Sequence, residues 1–319
     1  MAAGGCTAAP TPGTVIAPDL REFGIASDPW QVDEWAGAVG AKPTMVMEFE
    51  QWSRDRTIDA HFKMARDQGL RSFVVSWEPW KSVPAELGKE AQYADQPAYN
   101  NASIAAGNLD DYIRTFARSV ARSGLTVYMR YAHEMNGDWY PWSQDPAKYA
   151  EAWRHVHDIF REEGATNAKW VYSLNPTPYE GETSWAENMQ KYWPGPEYVD
   201  YVGTTMINFG GVKEKSVEEF ADRVRLMHTV FKKDLLIMEL NSAAEGRVKW
   251  FTDLRTWLAT EATWIRGVVL SQATSRAKIQ LGGKVGDLSW NVMTDSATKP
   301  VVKAMIEDFT LVRGQVTTN

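Results

Sequence analysis

Cysteine, basic charge and long apolar runs are all scarce in this chain of 319 residues. The single cysteine, Cys6, excludes an intramolecular disulfide and leaves the redox compartment undecided. No apolar run approaches the roughly 18 residues that a membrane-spanning helix needs. The formal net charge is −7 and no cluster of lysine or arginine occurs, so a nucleic-acid partner is not expected, because phosphates require dense basic side chains.

Several catalytic signatures are also missing. There is no G-x-S-x-G serine elbow, and Cys6 lies in a leader where it is a poor nucleophile candidate. His133 and Glu134 begin like a zinc-protease helix, but Gly137 stands where the second histidine would be. His155 and His157 are two positions apart in a predicted helix and therefore cannot chelate together. No metal and no cofactor are expected.

Tryptophan is what the chain has in excess, with 15 residues, and the hydrophobic fraction of 44% is enough for a sizeable core. Indole rings pack well in cores, and they also stack on sugar faces. Residues 1–19 are interpreted as a flexible leader, and residues 20–319 as one catalytic domain. Gly4-Gly5-Cys6 resembles the end of a lipoprotein signal, which favours an extracellular or cell-envelope location with a lipid anchor at Cys6. The alternative is an unrelated leader with a free thiol.

Short apolar segments alternate with helix-length stretches along the chain. Most of the apolar segments are continuous runs, as expected for parallel strands that helices cover. The eight predicted strands are residues 22–27, 44–49, 72–77, 126–131, 168–174, 198–206, 234–240 and 266–271. Asp145-Pro146 and a capping box from Ser216 to Glu219 mark helix starts, and a closing helix is predicted over 297–312.

Eight strand–helix alternations predict an α/β fold, a single (β/α)8 TIM barrel. An open doubly wound sheet is the alternative, but no Gly-rich nucleotide turn follows the first strand. The segment 282–286 reads GGKVG, lacks Ser or Thr after its lysine, and is interpreted as a loop. We expect a monomer.

Chemistry in such barrels lies at the carboxyl ends of the strands. Carboxylates, amides and tryptophans recur at those positions here. They include Asp28, Glu48, Glu50, Trp77, Glu78, Trp80, His133, Glu134, Asn175, Asn208, Phe209, Glu239 and Asn241. The roles of Asp28, Glu48 and Glu50 stay open.

Two carboxylates on opposing strands are the minimum apparatus for cleaving a glycosidic bond. One must be protonated to release the leaving alcohol, and the other must be ionised to attack the anomeric carbon or to activate water. Glu134 and Glu239 both follow an apolar strand directly and are the predicted catalytic pair. For Glu239 the alternative is a buried structural glutamate in an ion pair. Arg130 shares strand parity with Glu134, and either balances a rim carboxylate or forms a structural salt bridge.

The segment from Arg130 to Trp142, RYAHEMNGDWYPW, resembles the acid/base motif of glycoside hydrolase family 26. The sequence LIME ending at Glu239 agrees with that family, and the resemblance covers roughly residues 20 to 312. It implies a (β/α)8 barrel, Glu134 as acid/base, Glu239 as nucleophile and a retaining mechanism. The residues then predicted to contact substrate are Arg130, His133, Asn136, Trp139, Trp142, Trp77, Glu78, Trp80, Asn208 and Phe209.

Two departures from the family's mannanases bear on the substrate. Those enzymes carry a histidine after the tryptophan of the third strand, where this chain has Glu78. They also carry a tyrosine at the end of the sixth strand, where this chain has Ile207 or Phe209. The expectation is therefore an endo-acting, retaining β-glycanase for β-glucan, such as β-1,3-1,4-glucan, or exopolysaccharide. The alternatives are an endo-β-1,4-mannanase and a non-catalytic polysaccharide-binding or exopolysaccharide-assembly protein.

Overall fold

The computed structural model describes residues 21–54, 57–81, 96–143, 145–177, 184–211, 214–272, 277–281, 284–288 and 291–310. The predicted leader lies outside the described residues. Within the described part, no helix is both long enough and apolar enough to span a membrane.

Eight parallel strands close into a barrel in chain order, which confirms the predicted fold class. The strands are β1 (Glu22–Ala26), β2 (Met45–Gln51), β3 (Ser72–Glu78), β4 (Thr126–Tyr131), β5 (Ala168–Leu174), β6 (Tyr201–Asn208), β7 (Leu235–Ser242) and β8 (Ile265–Ser271). The barrel closes where β1 pairs with β8, with Glu22 opposite Gly267. All eight predicted strands are present, with bounds that differ by a few residues at most. The largest difference is at β6, which begins at Tyr201 because residues Pro196–Tyr198 form a 3-10 turn.

Helices cover the outside of the barrel. They are α1 (Val32–Val39), α2 (Asp59–Asp67), α3 (Asn101–Ala105), α4 (Asp110–Ala121), α5 (Pro146–Glu162), α6 (Trp185–Lys191), α7 (Val217–Phe231), α8 (Arg247–Thr260) and α9 (Lys299–Thr310). The predicted caps are confirmed. Asp145 accepts from the backbone N–H of Lys148 at 3.0 Å, and Ser216 and Glu219 form a reciprocal capping box ahead of α7.

The apolar side chains form two separate layers. A small inner cluster fills the barrel, including Met45, Met47, Tyr128 and Met238. A much larger outer cluster lies between the strands and the helices and contains most of the buried tryptophans. Because side chains alternate along a strand, this division decides which residues of each strand can reach the mouth of the barrel.

A register shift between β6 and β7 changes that alternation next to Glu239. Thr204 lies opposite Ile237, but Thr205 lies opposite Glu239, so β7 carries one extra residue, Met238. Met238 packs in the inner cluster, and strict alternation would send Glu239 to the other face of the sheet. A bulge of this kind re-aims a side chain. Both Met238 and Glu239 therefore reach the inside of the barrel.

The interpretation of segment 282–286 as a loop is wrong for its last three residues. Lys284–Leu288 forms strand β10, which pairs antiparallel with β9 (Ala277–Leu281) after β8. The physical reason was available in the sequence, since a Gly-Gly pair between two short segments is a hairpin signal. Gly282 and Gly283 themselves lie outside the described residues.

Candidate active site

The backbone is unusual where β4 ends. Ala132 has φ 43° and Glu134 has φ 55°, a left-handed conformation that costs residues with a side chain roughly 1–3 kcal/mol each. Two hydrogen bonds hold it, from Ala132 N to Trp77 O at 2.9 Å and from Glu134 N to Ser173 O at 2.7 Å. These bonds tie the turn to β3 and β5. The strain is thus maintained by the neighbouring strands, and it fixes the position of Glu134.

The Glu134 carboxylate is held by three side-chain donors. Its Oε1 accepts from Thr205 Oγ1 at 2.6 Å and from Asn175 Nδ2 at 3.2 Å. Its Oε2 accepts from Trp139 Nε1 at 3.1 Å. The donors come from β6, from the loop after β5, and from the segment that follows Glu134 itself. The carboxylate therefore has one defined orientation although Glu134 lies at the end of a strand.

Glu239 lies on β7 and pairs with an arginine inside the barrel. Its Oε1 is 2.9 Å from Arg130 Nη1, and Arg130 is completely buried. Burial raises the pKa of Glu239; the Arg130 guanidinium opposes that rise, and the nearby Glu134 carboxylate adds to it.

Arg130 connects the two glutamates. Its Nε donates to Ser173 Oγ at 2.9 Å, its Nη1 to Ser76 Oγ at 3.1 Å, and its Nη2 to Thr205 Oγ1 at 3.5 Å. Thr205 in turn donates to Glu134. A guanidinium has several donors in a rigid plane, so one side chain can hold Glu239 directly and Glu134 through Thr205.

Both glutamates line one pocket of about 380 Å³ at the carboxyl ends of the strands. That volume lies within the range of small-molecule binding sites. The lining side chains are Phe49, Glu134, Trp139, Tyr140, Asn175, Pro176, Thr177, Thr205, Ile207, Phe209, Phe220 and Glu239. The pocket therefore combines apolar and aromatic walls with two carboxylates, one amide and three hydroxyls. In the described part of the chain, no group of three or more His, Cys, Asp or Glu side chains could hold a metal ion.

A third glutamate lies nearby, at the end of β3. Glu78 is 5% exposed, and its Oε2 accepts from Trp80 Nε1 at 3.2 Å. Burial raises the pKa of Glu78 to about 7, with opposing effects from the Trp80 hydrogen bond and from Arg130 and a further increase from Glu239. At neutral pH a substantial share of Glu78 is therefore uncharged.

His133 and Tyr140 form a polar contact between the third glutamate and the pocket. His133 Nε2 is 3.1 Å from the Tyr140 hydroxyl, and burial together with Arg130 holds the pKa of His133 well below its usual value. Burial raises the pKa of Tyr140 well above 10, and the charges of Glu134, Glu78 and Glu239 add to it. A neutral imidazole thus faces a neutral phenol, and Tyr140 lines the same pocket as Glu134 and Glu239.

Comparison with known proteins identifies the family of the chain. The family model described as glycosyl hydrolase family 26 matches residues 57–252, more than half of the chain. The chain belongs to glycosyl hydrolase family 26. Endoglucanase H of Acetivibrio thermocellus is 30% identical over 228 residues, which cover 67% of this chain and 23% of that protein. Mannan endo-1,4-beta-mannosidase A and B of Caldalkalibacillus mannanilyticus is 34% identical over 90 residues, covering 25% of this chain and 16% of that protein.

Solved structures show the same fold at low sequence identity. A family 26 β-mannanase from Bacteroides ovatus aligns with TM-score 0.59 and 15% identity, covering 92% of this chain and 90% of that chain. An endo-β-1,4-mannanase from Cellulomonas fimi aligns with TM-score 0.61 and 15% identity, covering 93% and 73%. The matches with the two curated relatives span less than a quarter of either relative's length, so their activities are not transferred to this chain by similarity alone.

The structure separates the tryptophans that are predicted to contact substrate. Trp139 lines the pocket and contacts Glu134. Trp77 is 0% exposed in the outer layer, where it stacks on Phe116 at 4.6 Å between ring centroids. Trp142 is also buried, and its Nε1 donates to His133 O at 2.9 Å. Trp77 and Trp142 therefore present no free ring face to a sugar in this structure.

Asn136 and Asn208, the amides predicted to contact substrate, hold loops in place and do not line the pocket. Asn136 and Asn175 exchange two hydrogen bonds, from Asn136 Nδ2 to Asn175 O at 2.8 Å and from Asn175 N to Asn136 Oδ1 at 2.9 Å. Asn208 Oδ1 accepts from the backbone N–H groups of Gly210 and Lys215 at 3.1 and 2.9 Å. Asn136 thus holds Asn175 against Glu134, and Asn208 shapes the loop that carries Phe209. Phe209 lines the pocket.

Sequence reasoning omitted Thr205, Tyr140 and Phe49 from the site. Thr205 lies inside β6, and a threonine in a strand gives no signal of its own. Tyr140 lies within the family motif between two tryptophans and was passed over in their favour. Phe49 ends an apolar run that reads as ordinary strand core. The position of each relative to the carboxylates depends on the closed barrel.

Proposed function

We propose that this protein is an endo-acting, retaining β-glycanase that uses Glu134 as acid/base and Glu239 as nucleophile. The observation that carries the proposal is that Glu134, which follows β4, and Glu239, within β7, line one pocket, with Arg130 bonded to Glu239 directly and to Glu134 through Thr205. Retaining hydrolysis requires two carboxyl groups that flank one glycosidic bond, about 5–5.5 Å apart. Membership of family 26 supports the same reaction class.

The reaction proceeds in two displacements. In the first, Glu134 gives its proton to the glycosidic oxygen while a Glu239 oxygen attacks the anomeric carbon, forming a glycosyl–enzyme ester and releasing the leaving sugar. In the second, Glu134 takes a proton from water, which attacks the same carbon and frees Glu239. Arg130 stabilises Glu239 as a carboxylate against the effect of its burial. Thr205, Asn175 and Trp139 hold Glu134 in place for both proton transfers.

The substrate we propose is a β-glucan, such as β-1,3-1,4-glucan, or an exopolysaccharide, in preference to mannan. Support comes from the residues that differ from the family's mannanases. Glu78 stands where those enzymes have a histidine, and Ile207 with Phe209 lines the pocket at the end of β6 in place of a tyrosine. The similarity to Endoglucanase H agrees with this preference. An endo-β-1,4-mannanase is the alternative, which the shorter match to a mannosidase favours.

The decisive test is turnover by Glu239→Gln on soluble β-glucans, mannan, xylan and bacterial exopolysaccharides, scored by new reducing ends. We expect wild-type cleavage of a β-glucan with retention at the anomeric carbon, seen by NMR of the first product. Glu239→Gln should lose roughly ten-thousand-fold in kcat yet keep oligosaccharide affinity, because only the nucleophile is removed. Wild-type rates in the variant would refute the assignment. Binding without cleavage across the whole panel would instead support a polysaccharide-binding or assembly protein.

We also propose that the protein acts outside the cell or at the cell envelope, as a monomer. A polysaccharide does not cross a membrane. An enzyme that cleaves internal bonds of such a polymer must therefore meet it outside the cell. Fractionation of the source cells and light scattering of the purified protein test the two statements. Mass spectrometry of the amino-terminal peptide tests whether Cys6 carries a lipid.

A further inference from the structure

The strained turn that carries Glu134 has two of its carbonyl oxygens engaged by side chains from the segment that follows it. The Tyr149 hydroxyl donates to Ala132 O at 3.1 Å, and Trp142 Nε1 donates to His133 O at 2.9 Å. All four of these residues are buried. Because a buried carbonyl requires a partner, these two bonds hold the turn in addition to the bonds from its N–H groups to β3 and β5.

The Tyr149 side chain is fixed by its own surroundings. It lies in the first turn of α5, where its N–H donates to the carbonyl oxygen of the capping residue Asp145 at 2.9 Å. Its ring stacks on that of Tyr131, with 6.3 Å between centroids, and meets the Tyr192 ring edge-on at 5.5 Å. Burial raises the pKa of Tyr149 well above 10, and the neighbouring tyrosines add to the rise. The hydroxyl therefore keeps its proton and remains a donor at neutral pH.

The bond to Ala132 O acts at the point where the backbone is strained. Ala132 has φ 43°, a left-handed conformation that residues with a side chain rarely adopt. A different backbone conformation at Ala132 would turn its carbonyl oxygen away from Tyr149. Without the hydroxyl, this buried oxygen loses its donor and the left-handed conformation loses support. Glu134 follows two residues later, so any relaxation of Ala132 moves the Glu134 carboxylate.

We propose that Tyr149 is a positioning residue for the acid/base Glu134: its hydroxyl holds Ala132 in the left-handed conformation and so fixes the Glu134 carboxylate beside the glycosidic oxygen. The proposal rests on the proposed function and deepens it. Tyr149 does not line the pocket, so it acts through the main chain and does not touch substrate. A displacement of about 1 Å in a catalytic group can cost about a hundredfold in rate. Removing the hydroxyl should therefore slow proton transfer and leave substrate binding unchanged.

The test is Tyr149→Phe, which removes one oxygen atom and keeps the ring. We expect kcat on a soluble β-glucan to fall about tenfold with KM unchanged, because the contacts that bind the sugar remain. Tyr172→Phe is the matched control. Tyr172 is fully buried in the same outer layer, and its hydroxyl also donates to a main-chain oxygen, that of Met189 on α6, at 2.8 Å. This variant loses the same kind of bond away from Glu134, and kcat should stay within about twofold of wild type.

The dependence on the leaving group separates positioning of the acid from a general loss of packing. A sugar leaving group needs the proton from Glu134, whereas an activated aryl leaving group does not. The first displacement of an aryl β-glycoside, measured as a burst, should therefore be nearly unaffected in Tyr149→Phe. Equal losses with both leaving groups, or equal effects of Tyr149→Phe and Tyr172→Phe, would overturn the proposal.

Ala132→Gly provides a rescue, because glycine adopts a positive φ without the cost that a Cβ imposes. Added to Tyr149→Phe, it should restore most of the lost kcat. Added to Tyr172→Phe, it should bring no gain. Failure of the glycine to restore kcat in Tyr149→Phe would also overturn the proposal, since the proposal assigns the loss to strain at Ala132.

Amide hydrogen exchange gives a readout that does not depend on turnover. The N–H groups of Ala132 and Glu134 should exchange about tenfold faster in Tyr149→Phe than in Tyr172→Phe, because the turn opens more often. If no β-glycan is cleaved but this difference is seen, the proposed function fails and the support of Glu134 by Tyr149 stands. If a β-glycan is cleaved and the two variants exchange and turn over alike, the positioning role fails and the proposed function stands.

Discussion

The barrel buries glutamates at both of its ends, and the surroundings of those glutamates differ. At the amino end, Glu22 on β1 accepts from Ser72 Oγ, from Tyr128 OH at 3.1 Å and from Thr44 Oγ1 at 3.3 Å. Burial raises the pKa of Glu22, as it does that of Glu239 at the carboxyl end. Glu22 does not line the pocket at the mouth, whereas Glu239 does. Glu22, a structural carboxylate, and Glu239, a candidate catalytic one, thus share burial and a raised pKa. They differ in that only Glu239 has access to a pocket.

Of the changes at the two ends of the barrel, Glu134→Gln at the carboxyl end should have the largest effect. The variant should lose roughly 10²–10⁴-fold in kcat on a polymer, because general acid catalysis to the leaving oxygen is gone. An aryl β-glycoside with a good leaving group needs no proton in the first step, so its first displacement should be nearly unaffected. Burst kinetics with that substrate measure the two steps separately. Equal losses in both steps on both substrates would contradict the assignment of Glu134.

The next effect concerns Glu78, whose pKa of about 7 lies above the ordinary value of 4.5. For an acid with a raised folded-state pKa, stability is highest below pH 4.5, falls as the pH rises from there to 7, and stays lower above that. Glu78→Gln removes this loss of stability with rising pH, and it keeps a hydrogen-bond acceptor for Trp80. It should therefore be more stable than wild type at pH 8, by up to about 3 kcal/mol, with the difference vanishing near pH 4. Urea unfolding across this pH range measures it, and a difference independent of pH would count against the shift.

Glu22→Ala tests the amino end of the barrel. It leaves the hydroxyls of Ser72 and Tyr128 buried without their acceptor, so the free energy of unfolding should fall by about 1–3 kcal/mol. Because Glu22 lies away from the pocket, kcat/KM measured well below the unfolding temperature should stay within about twofold of wild type. Thermal unfolding and steady-state kinetics on one sample provide both values. A large loss of activity in a folded variant would abolish the distinction between the two ends.

The smallest effect on activity should come from removing a single hydroxyl at the carboxyl end of the barrel. Thr205→Val removes the 2.6 Å hydrogen bond to Glu134 and the contact with Arg130, and should lower kcat about tenfold, equivalent to about 1.4 kcal/mol. Thr204→Val is the matched control. Thr204 is fully buried and its Oγ1 has no hydrogen-bond partner in the described part of the chain, so this variant should keep full activity. Equal effects of the two variants would show that Thr205 acts through packing alone.

The fold was predictable in detail because its local signals agree. Parallel strands covered by helices are continuous apolar runs, and all eight were recognised from that pattern. Asp145 and Ser216 cap helices through short-range hydrogen bonds, which depend on a few neighbouring residues. The hairpin of β9 and β10 was missed, since its Gly-Gly turn signal was judged only as a failed phosphate loop.

The sequence by itself determined the barrel and the family, because periodicity and a contiguous motif are written along the chain. It also predicted two catalytic glutamates near the carboxyl ends of strands. Only the tertiary structure decided which residues surround those glutamates. The extra residue Met238 directs Glu239 inward, and strand order brings Thr205 and Arg130 to it from distant parts of the chain. Trp77 and Trp139 have the same side chain, yet Trp77 is buried in the core and Trp139 lines the pocket. Their exposure depends on neighbours that only folding brings together.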